Sequence, residues 1–300
     1  MAAPPPDAKA FDLDAMTAPV QAVEDFVADF LQARPLPANL RDAVEYALLG
    51  GGKRIRPVLA VRACEAVGGK AQQALAPAAA IEMIHAFSLV HDDLPAMDDD
   101  DLRRGRPTLH KHASEAMAIL AGDSLMSLAF ELVATRIKDA TLIAAITREL
   151  AIGTNDMIAG QVCDTLPDWD ESLEPIQRLE TIHKHKTAAL LRASCRMGAI
   201  CGGADAAQLN ALTRYAQAIG LMFQVVDDVL DCTQSTEQLG KTAGKDEIQD
   251  KLTYPAILGL DASRDEVERL RIEAMTALEP LGPAAQPLAD LCQFMAVRDK

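Results

Sequence analysis

Two runs of aspartate stand inside otherwise apolar sequence. The first is Asp92-Asp93-Leu94-Pro95-Ala96-Met97-Asp98, continued by Asp99, Asp100 and Asp101; the second is Asp227-Asp228-Val229-Leu230-Asp231. Each follows a long apolar stretch, Ala78 to Val90 and Tyr215 to Val226, which sets the carboxylates at or near the wall of a core. An unpaired buried carboxylate is too costly to keep ionised, so something must neutralise them. Oxygen donors without partnering His or Cys suit a hard cation such as Mg2+, which keeps waters and is commonly shared with substrate phosphates. The chemistry so indicated is metal-dependent handling of a diphosphate.

Spacing sharpens this. Asp227 and Asp231 are four residues apart, stacked about 6 Å from one another on one helical face, with Asp228 pointing elsewhere. Asp92 and Asp98 would fall on different faces of an unbroken helix at roughly 100° per residue. Pro95 resolves the conflict, because it has no N–H for the helical ladder and disfavours helix at Leu94, so the chain can turn Asp98 back towards Asp92. A solvated helix end is the competing explanation. Helix C-termini favour cations, however, and this one would gather six carboxylates.

The elements that must position these groups are helical. Apolar residues recur at spacings of three and four, and no useful length alternates with period two, which predicts an all-α fold. Expected helices cover Ala18 to Gln32, Leu40 to Leu49, Pro57 to Val67, Ala71 to Leu94, Ser114 to Arg136, Ala140 to Gln161, Ile176 to Cys201, Ala206 to Cys232, Tyr254 to Leu260, Ser263 to Leu278 and Ala284 to Val297. Leu166 to Pro175 and Thr233 to Asp250 read as functional loops; the second, carrying Lys241 and Lys245 directly behind an acidic run, is placed to act as a lid. Residues 1–17 read as a disordered lead-in and 18–300 as one domain.

Composition narrows the classes. Three hundred residues with 49% hydrophobic content can bury one large core or two modest ones, and one large domain is the favoured reading. Glu82, His85 and His91 interrupt the most apolar stretch, so no uninterrupted membrane span of about 18 residues is expected. The six cysteines form no CxxC pair and fit reduced core thiols of a cytoplasmic protein. A net charge of −15 argues against nucleic acid as a partner. Against that background three basic clusters, Lys53-Arg54-Ile55-Arg56, Arg103-Arg104-Gly105-Arg106 and Lys184-His185-Lys186, suggest anion pockets.

In order along the chain, Gly51-Gly52-Lys53-Arg54-Ile55-Arg56-Pro57, the first aspartate run with Leu102-Arg103-Arg104-Gly105 behind it, Lys186-Thr187, and Phe223-Gln224 before the second aspartate run form a set. The set resembles the trans-isoprenyl diphosphate synthases, and among them the bacterial short-chain farnesyl diphosphate synthases, over about residues 20 to 300. The resemblance implies the isoprenoid synthase fold, a helical bundle around a central apolar cavity. It implies head-to-tail condensation of isopentenyl diphosphate with dimethylallyl or geranyl diphosphate, giving farnesyl diphosphate and pyrophosphate through a carbocation. Geranyl and geranylgeranyl diphosphate synthases use the same machinery and remain alternatives.

By the same resemblance, three Mg2+ ions, with Mn2+ as a substitute, would be held by Asp92 and Asp98, supported by Asp93, and by Asp227 and Asp231. Arg103, Lys186, Thr187, Gln224 and Lys241 would hold the allylic diphosphate, and Lys53, Arg56, His85 and Arg104 the isopentenyl diphosphate. Asp92, Asp98, Lys186, Asp227 and Lys241 are the expected catalytic set. Phe87, five residues before Asp92 and about 7.5 Å down the helix axis, would floor the pocket beside Ser88 and set product length. A homodimer is implied as well.

Three rivals have some footing. Glu82-x-x-His85 and Glu180-x-x-His183 match the pattern of di-iron carboxylate bundles, but leave both aspartate runs and the basic clusters without a purpose. A terpene cyclase needs only one diphosphate site. A non-catalytic partner of a longer-chain synthase would have no use for intact aspartate motifs.

Overall fold

The computed structural model of the protein describes residues 16–233 and 252–298. Helix follows helix through nearly all of that length: α1 (Pro19–Ala33), α2 (Ala38–Leu48), α3 (Ile55–Ala66), α4 (Leu75–Asp92), α5 (Leu109–His112), α6 (Glu115–Arg136) and α7 (Ala140–Thr165) come first. After them come α8 (Pro175–Lys186), α9 (Ala188–Cys201), α10 (Ala206–Thr233), α11 (Tyr254–Leu258), α12 (Leu260–Leu278) and α13 (Gln286–Val297). Their starts are written in the sequence. Ser114 Oγ accepts from Met117 N at 3.1 Å and Asp139 Oδ1 from Leu142 N at 2.9 Å, each satisfying a first-turn N–H that the helix leaves free.

Helix α4 runs through the interior. Ala78, Ala79, Ala80, Ile81, Met83 and Ile84 have no exposed surface, and the helix packs chiefly on α6 and α3. Two apolar clusters make up the core, and α3 and α9 serve both. Val61 and Cys64 of α3, with Leu190, Ala193 and Met197 of α9, face the cluster around α4, whereas Leu59, Ala63, Leu191, Cys195 and Ala199 face the one built on α10, α12 and α13. Close contact between α3 and α9 depends on Gly198, where a Cβ would sit 1.9 Å from the Ala60 carbonyl oxygen.

Several expectations need correction. Residues 102–107 form a hairpin, Leu102 paired with Pro107 and Arg103 with Arg106. Arg104 and Gly105 at its turn both have left-handed φ, 54° and 74°, the two-residue geometry that matches strand twist. Strands of two residues are too short to show alternation. The expected Ile176 to Cys201 helix is broken at Thr187 into α8 and α9. Helix α4 stops at Asp92 rather than Leu94. Met16, assigned to the disordered lead-in, is buried in the second cluster. Residues 1–15, and the expected lid with Lys241, lie outside the described residues.

Two segments, Ala71–Asp92 and Glu115–Arg136, are long and apolar enough to cross a membrane by length and composition. Averaged hydropathy tolerates the interruptions that an uninterrupted run does not. The first is 72% buried inside the protein, as a core helix should be.

Candidate active site

Pro95 does what its chemistry requires. With α4 ended at Asp92, the chain turns so sharply that Asp98 N donates to the Asp92 carbonyl at 2.8 Å, and Met97 and Asp99 both donate to the Leu94 carbonyl. The two carboxylates six residues apart therefore lie near each other. Burial pushes the Asp92 carboxyl up to about 6; Lys186 opposes this, and the negative charge of Asp98 adds to it. Asp93 points away and is 3% exposed. Its Oδ1 receives Arg103 Nη2 at 2.6 Å and Nε at 2.9 Å, so this arginine, expected at the allylic diphosphate, is held on a carboxylate.

On α10 the second run divides by face. Asp227 and Asp231 lie one turn apart, while buried Asp228 accepts from Tyr254 N at 2.9 Å and ties the end of α10 to the start of α11. Phe223 lies one turn before Asp227 on the same face. One side chain spans both: Arg298 Nη2 is 2.5 Å from Asp227 Oδ1, and its guanidinium lies 3.9 Å over the Phe223 ring. Gln224 Nε2 is 3.5 Å from Asp227 Oδ2. Arg298 could not be picked out from the sequence because no motif surrounds it.

These elements enclose two adjoining cavities. One, of about 620 Å³, has Arg56, His85, Asp92, Lys186 and Thr187 at its polar end. Phe87, Leu94, Ile119, Met157, Ile158 and Val162 are among its apolar walls, with Ser88 beside them. The other, of about 540 Å³, is lined by Gly50 to Arg56, Glu82, His85, Arg104, Thr187, Leu191 and Phe223. Arg56, His85 and Thr187 belong to both, so the expected isopentenyl and allylic groups are neighbours. Phe223 brings the face of Asp227 to the second cavity's edge.

The break between α8 and α9 is what turns Lys186 and Thr187 inward. Gly160 of α7 makes the break possible: a Cβ there would lie 2.1 Å from Lys186 N. Lys186 Nζ meets Asp164 Oδ2 at 2.5 Å. Burial lowers Arg56 to about 10, Glu82 opposes the shift and Arg104 adds to it, so Arg56 stays cationic at neutral pH. Its Nε is buried with no partner among the described residues. His85 is driven well below its ordinary range by burial and then by the surrounding arginines, which leaves a neutral imidazole at the junction.

The donor set fits a hard divalent ion. Asp92 and Asp98 offer oxygen only, and Asp92 carries a charge that burial penalises and a cation would relieve. Among the described residues no three acidic, His or Cys side chains gather tightly enough to enclose an ion by themselves. Mg2+ does not require that; one or two carboxylates, waters and substrate phosphates complete its shell. The two Glu-x-x-His motifs do not converge: Glu82 bonds Arg54 at 2.8 Å, Glu180 bonds Lys184 at 2.7 Å, and His183 stacks on Tyr254.

The polyprenyl synthetase family profile matches residues 37–279. The chain belongs to that family. A chloroplastic geranylgeranyl pyrophosphate synthase of Catharanthus roseus is 47% identical over 298 residues, covering 98% of this chain and 82% of the relative. Another, from Arabidopsis thaliana, is 50% identical over 277 residues, 87% of this chain and 75% of its own. Among solved structures, an FPP/GFPP synthase of Zymomonas mobilis superposes with a TM-score of 0.83 at 32% identity, covering 95% of this chain and 99% of that one. A polyprenyl synthetase is a prenyltransferase.

Proposed function

We propose that this polyprenyl synthetase adds isopentenyl diphosphate head-to-tail to allylic diphosphates in successive rounds and releases geranylgeranyl diphosphate. The observation that carries the reading is the pair of joined cavities, one with a carboxylate and lysine end over an apolar trough, the other ringed by arginines. The sequence alone favoured farnesyl diphosphate; relatives about half identical that are named geranylgeranyl synthases support C20 instead.

In this reading Lys186, Thr187 and Gln224 take the allylic diphosphate and Lys53, Arg56, His85 and Arg104 the isopentenyl one, supported by Lys186 and Thr187 lining the first cavity and Lys53, Arg56, His85 and Arg104 the second. Mg2+ bound by Asp92, Asp98, Asp227 and Asp231 would supply Lewis-acid neutralisation of the leaving pyrophosphate. As the allylic C–O bond breaks, its electron pair leaves with oxygen; the isopentenyl double bond then supplies a pair to the carbon cation, and a proton is lost. Apolar walls exclude the water that would quench the cation, and the shared Arg56–His85–Thr187 junction holds the two substrates within reach.

Incubation with Mg2+, isopentenyl diphosphate and dimethylallyl or geranyl diphosphate, followed by chain-length analysis, should give C20 as the end product. Absence of any prenyl product would sink the proposal. Farnesyl diphosphate remains a second reading because Phe87, 7% exposed and edge-on to His91 at 5.3 Å, stands in the cavity wall. Phe87→Ala should lengthen the product by an isoprene unit or more; an unchanged distribution would remove Phe87 as the stop.

A homodimer is also part of the proposal. Leu120 on α6 and Ile152 on α7, which line neither cavity, are 57% and 46% exposed, apolar surface that a second copy would cover. Light scattering should return twice the monomer mass, and a monomer at micromolar concentration would contradict it. Free cysteines fit a reducing compartment such as the cytoplasm.

A further inference from the structure

The second cavity contains one carboxylate among its cations, and that carboxylate has no part in the chemistry described so far. Glu82 lies three residues before His85 on α4, 5% exposed, inside a wall that also presents Lys53, Arg54, Arg56 and Arg104. Its Oε1 accepts from Arg54 Nη1 at 2.8 Å. Arg54 is 6% exposed and has a left-handed φ of 49°, a conformation a non-glycine residue keeps only when its surroundings hold it. What holds it is a three-way tie: Nη1 to Glu82 of α4, Nε to Glu24 of α1 at 2.9 Å, and Nη2 to the Leu48 carbonyl of α2 at 2.7 Å.

Each nitrogen of the Arg54 guanidinium thus has a protein acceptor. Arg54 also caps the start of α3, with Lys53 immediately before it and Arg56 in the first turn after it. The same tie that fixes the glycine-rich loop therefore fixes where those two cations stand, and fixes them relative to His85, one turn along α4 from Glu82. Glu82 also attracts Arg56 and Arg104, whose crowding would otherwise drive the cluster apart.

We propose that Glu82 and Arg54 are positioning residues of the isopentenyl diphosphate pocket, Glu82 acting as its resident counter-ion and Arg54 as the strut that sets Lys53 and Arg56 against His85. This rests on the reading of that cavity as the isopentenyl site. Neither residue touches the substrate. Their effect falls chiefly on one substrate, because Lys186 stands on α8 and Asp92 lies at the far end of α4, ten residues or about 15 Å along the helix axis from Glu82.

Steady-state kinetics with each substrate varied in turn test this. Glu82→Gln should raise the KM for isopentenyl diphosphate about tenfold or more while the KM for geranyl diphosphate and kcat stay within about threefold, the signature of lost ground-state placement. Because breaking one half of a buried pair can also loosen the fold, the double variant Arg54→Met/Glu82→Leu is the decisive one. Replacing both charges by apolar groups restores much of the thermal midpoint in buried pairs. The proposal expects the isopentenyl KM to stay raised in that refolded background, whereas recovery of KM together with the midpoint would overturn it and leave a merely structural pair. Arg56→Ala serves as the control. If it raises the isopentenyl KM and Glu82→Gln does not, the positioning role falls alone; if Arg56→Ala also leaves that KM unchanged, the reading of the cavity falls and takes this inference with it.

Discussion

Asp92→Ala should lower turnover by on the order of 10² or more while leaving the protein folded, with a metal-free thermal midpoint equal to or above that of the parent at neutral pH. The two halves have one cause. Burial raises the Asp92 carboxyl to about 6, so at pH 7 the folded state must hold it ionised against a penalty that the unfolded chain does not meet. Removing the group removes that penalty, and with it the oxygen that a divalent ion would share with the leaving diphosphate. Parallel measurement of kcat and thermal melting without Mg2+ separates the cases: near-normal turnover refutes the metal role, and a large drop in the midpoint would mean that Asp92 is structural.

Gly160→Ala is expected to reduce turnover by about 10² through displacement alone, since misplacing a substrate-positioning group by about 1 Å can cost that much. The added Cβ would fall 2.1 Å from Lys186 N, and the obstacle is backbone, which cannot rotate aside. The break between α8 and α9 must move, carrying Lys186 and Thr187 away from the cavity end. Circular dichroism should retain the helical signal while kcat and the KM for geranyl diphosphate both suffer. Parental kinetics for this variant would show that the break does not place the allylic diphosphate.

Much of this was legible beforehand for identifiable reasons. The helices could be read because their periodic apolar faces are local, and the turn that joins Asp92 to Asp98 followed from the missing N–H of Pro95. Asp228 could be set apart from Asp227 and Asp231 by helical spacing, and it does face α11 instead. What escaped was long-range. The break at Thr187 is imposed by packing against Gly160 and by the close approach of Ala188 to Gly220, neither of which alters the local pattern. Arg298 reaches Asp227 across 71 residues of sequence, and Arg54 reaches Glu24 and Glu82 across 30 and 28. Arg103 was placed at the allylic diphosphate by resemblance alone, and its bond to Asp93, set up by the hairpin, had no signal in the sequence.

Calorimetric titration of inorganic pyrophosphate into the protein, with and without Mg2+, tests most directly that the aspartate faces hold a divalent ion against a diphosphate. Mg2+ should tighten binding by at least about tenfold, roughly 1.4 kcal/mol, and Asp92→Ala should abolish that increment while leaving the weaker metal-free binding of the arginine cavity in place. Equal affinity with and without Mg2+ in the parent protein would contradict the account.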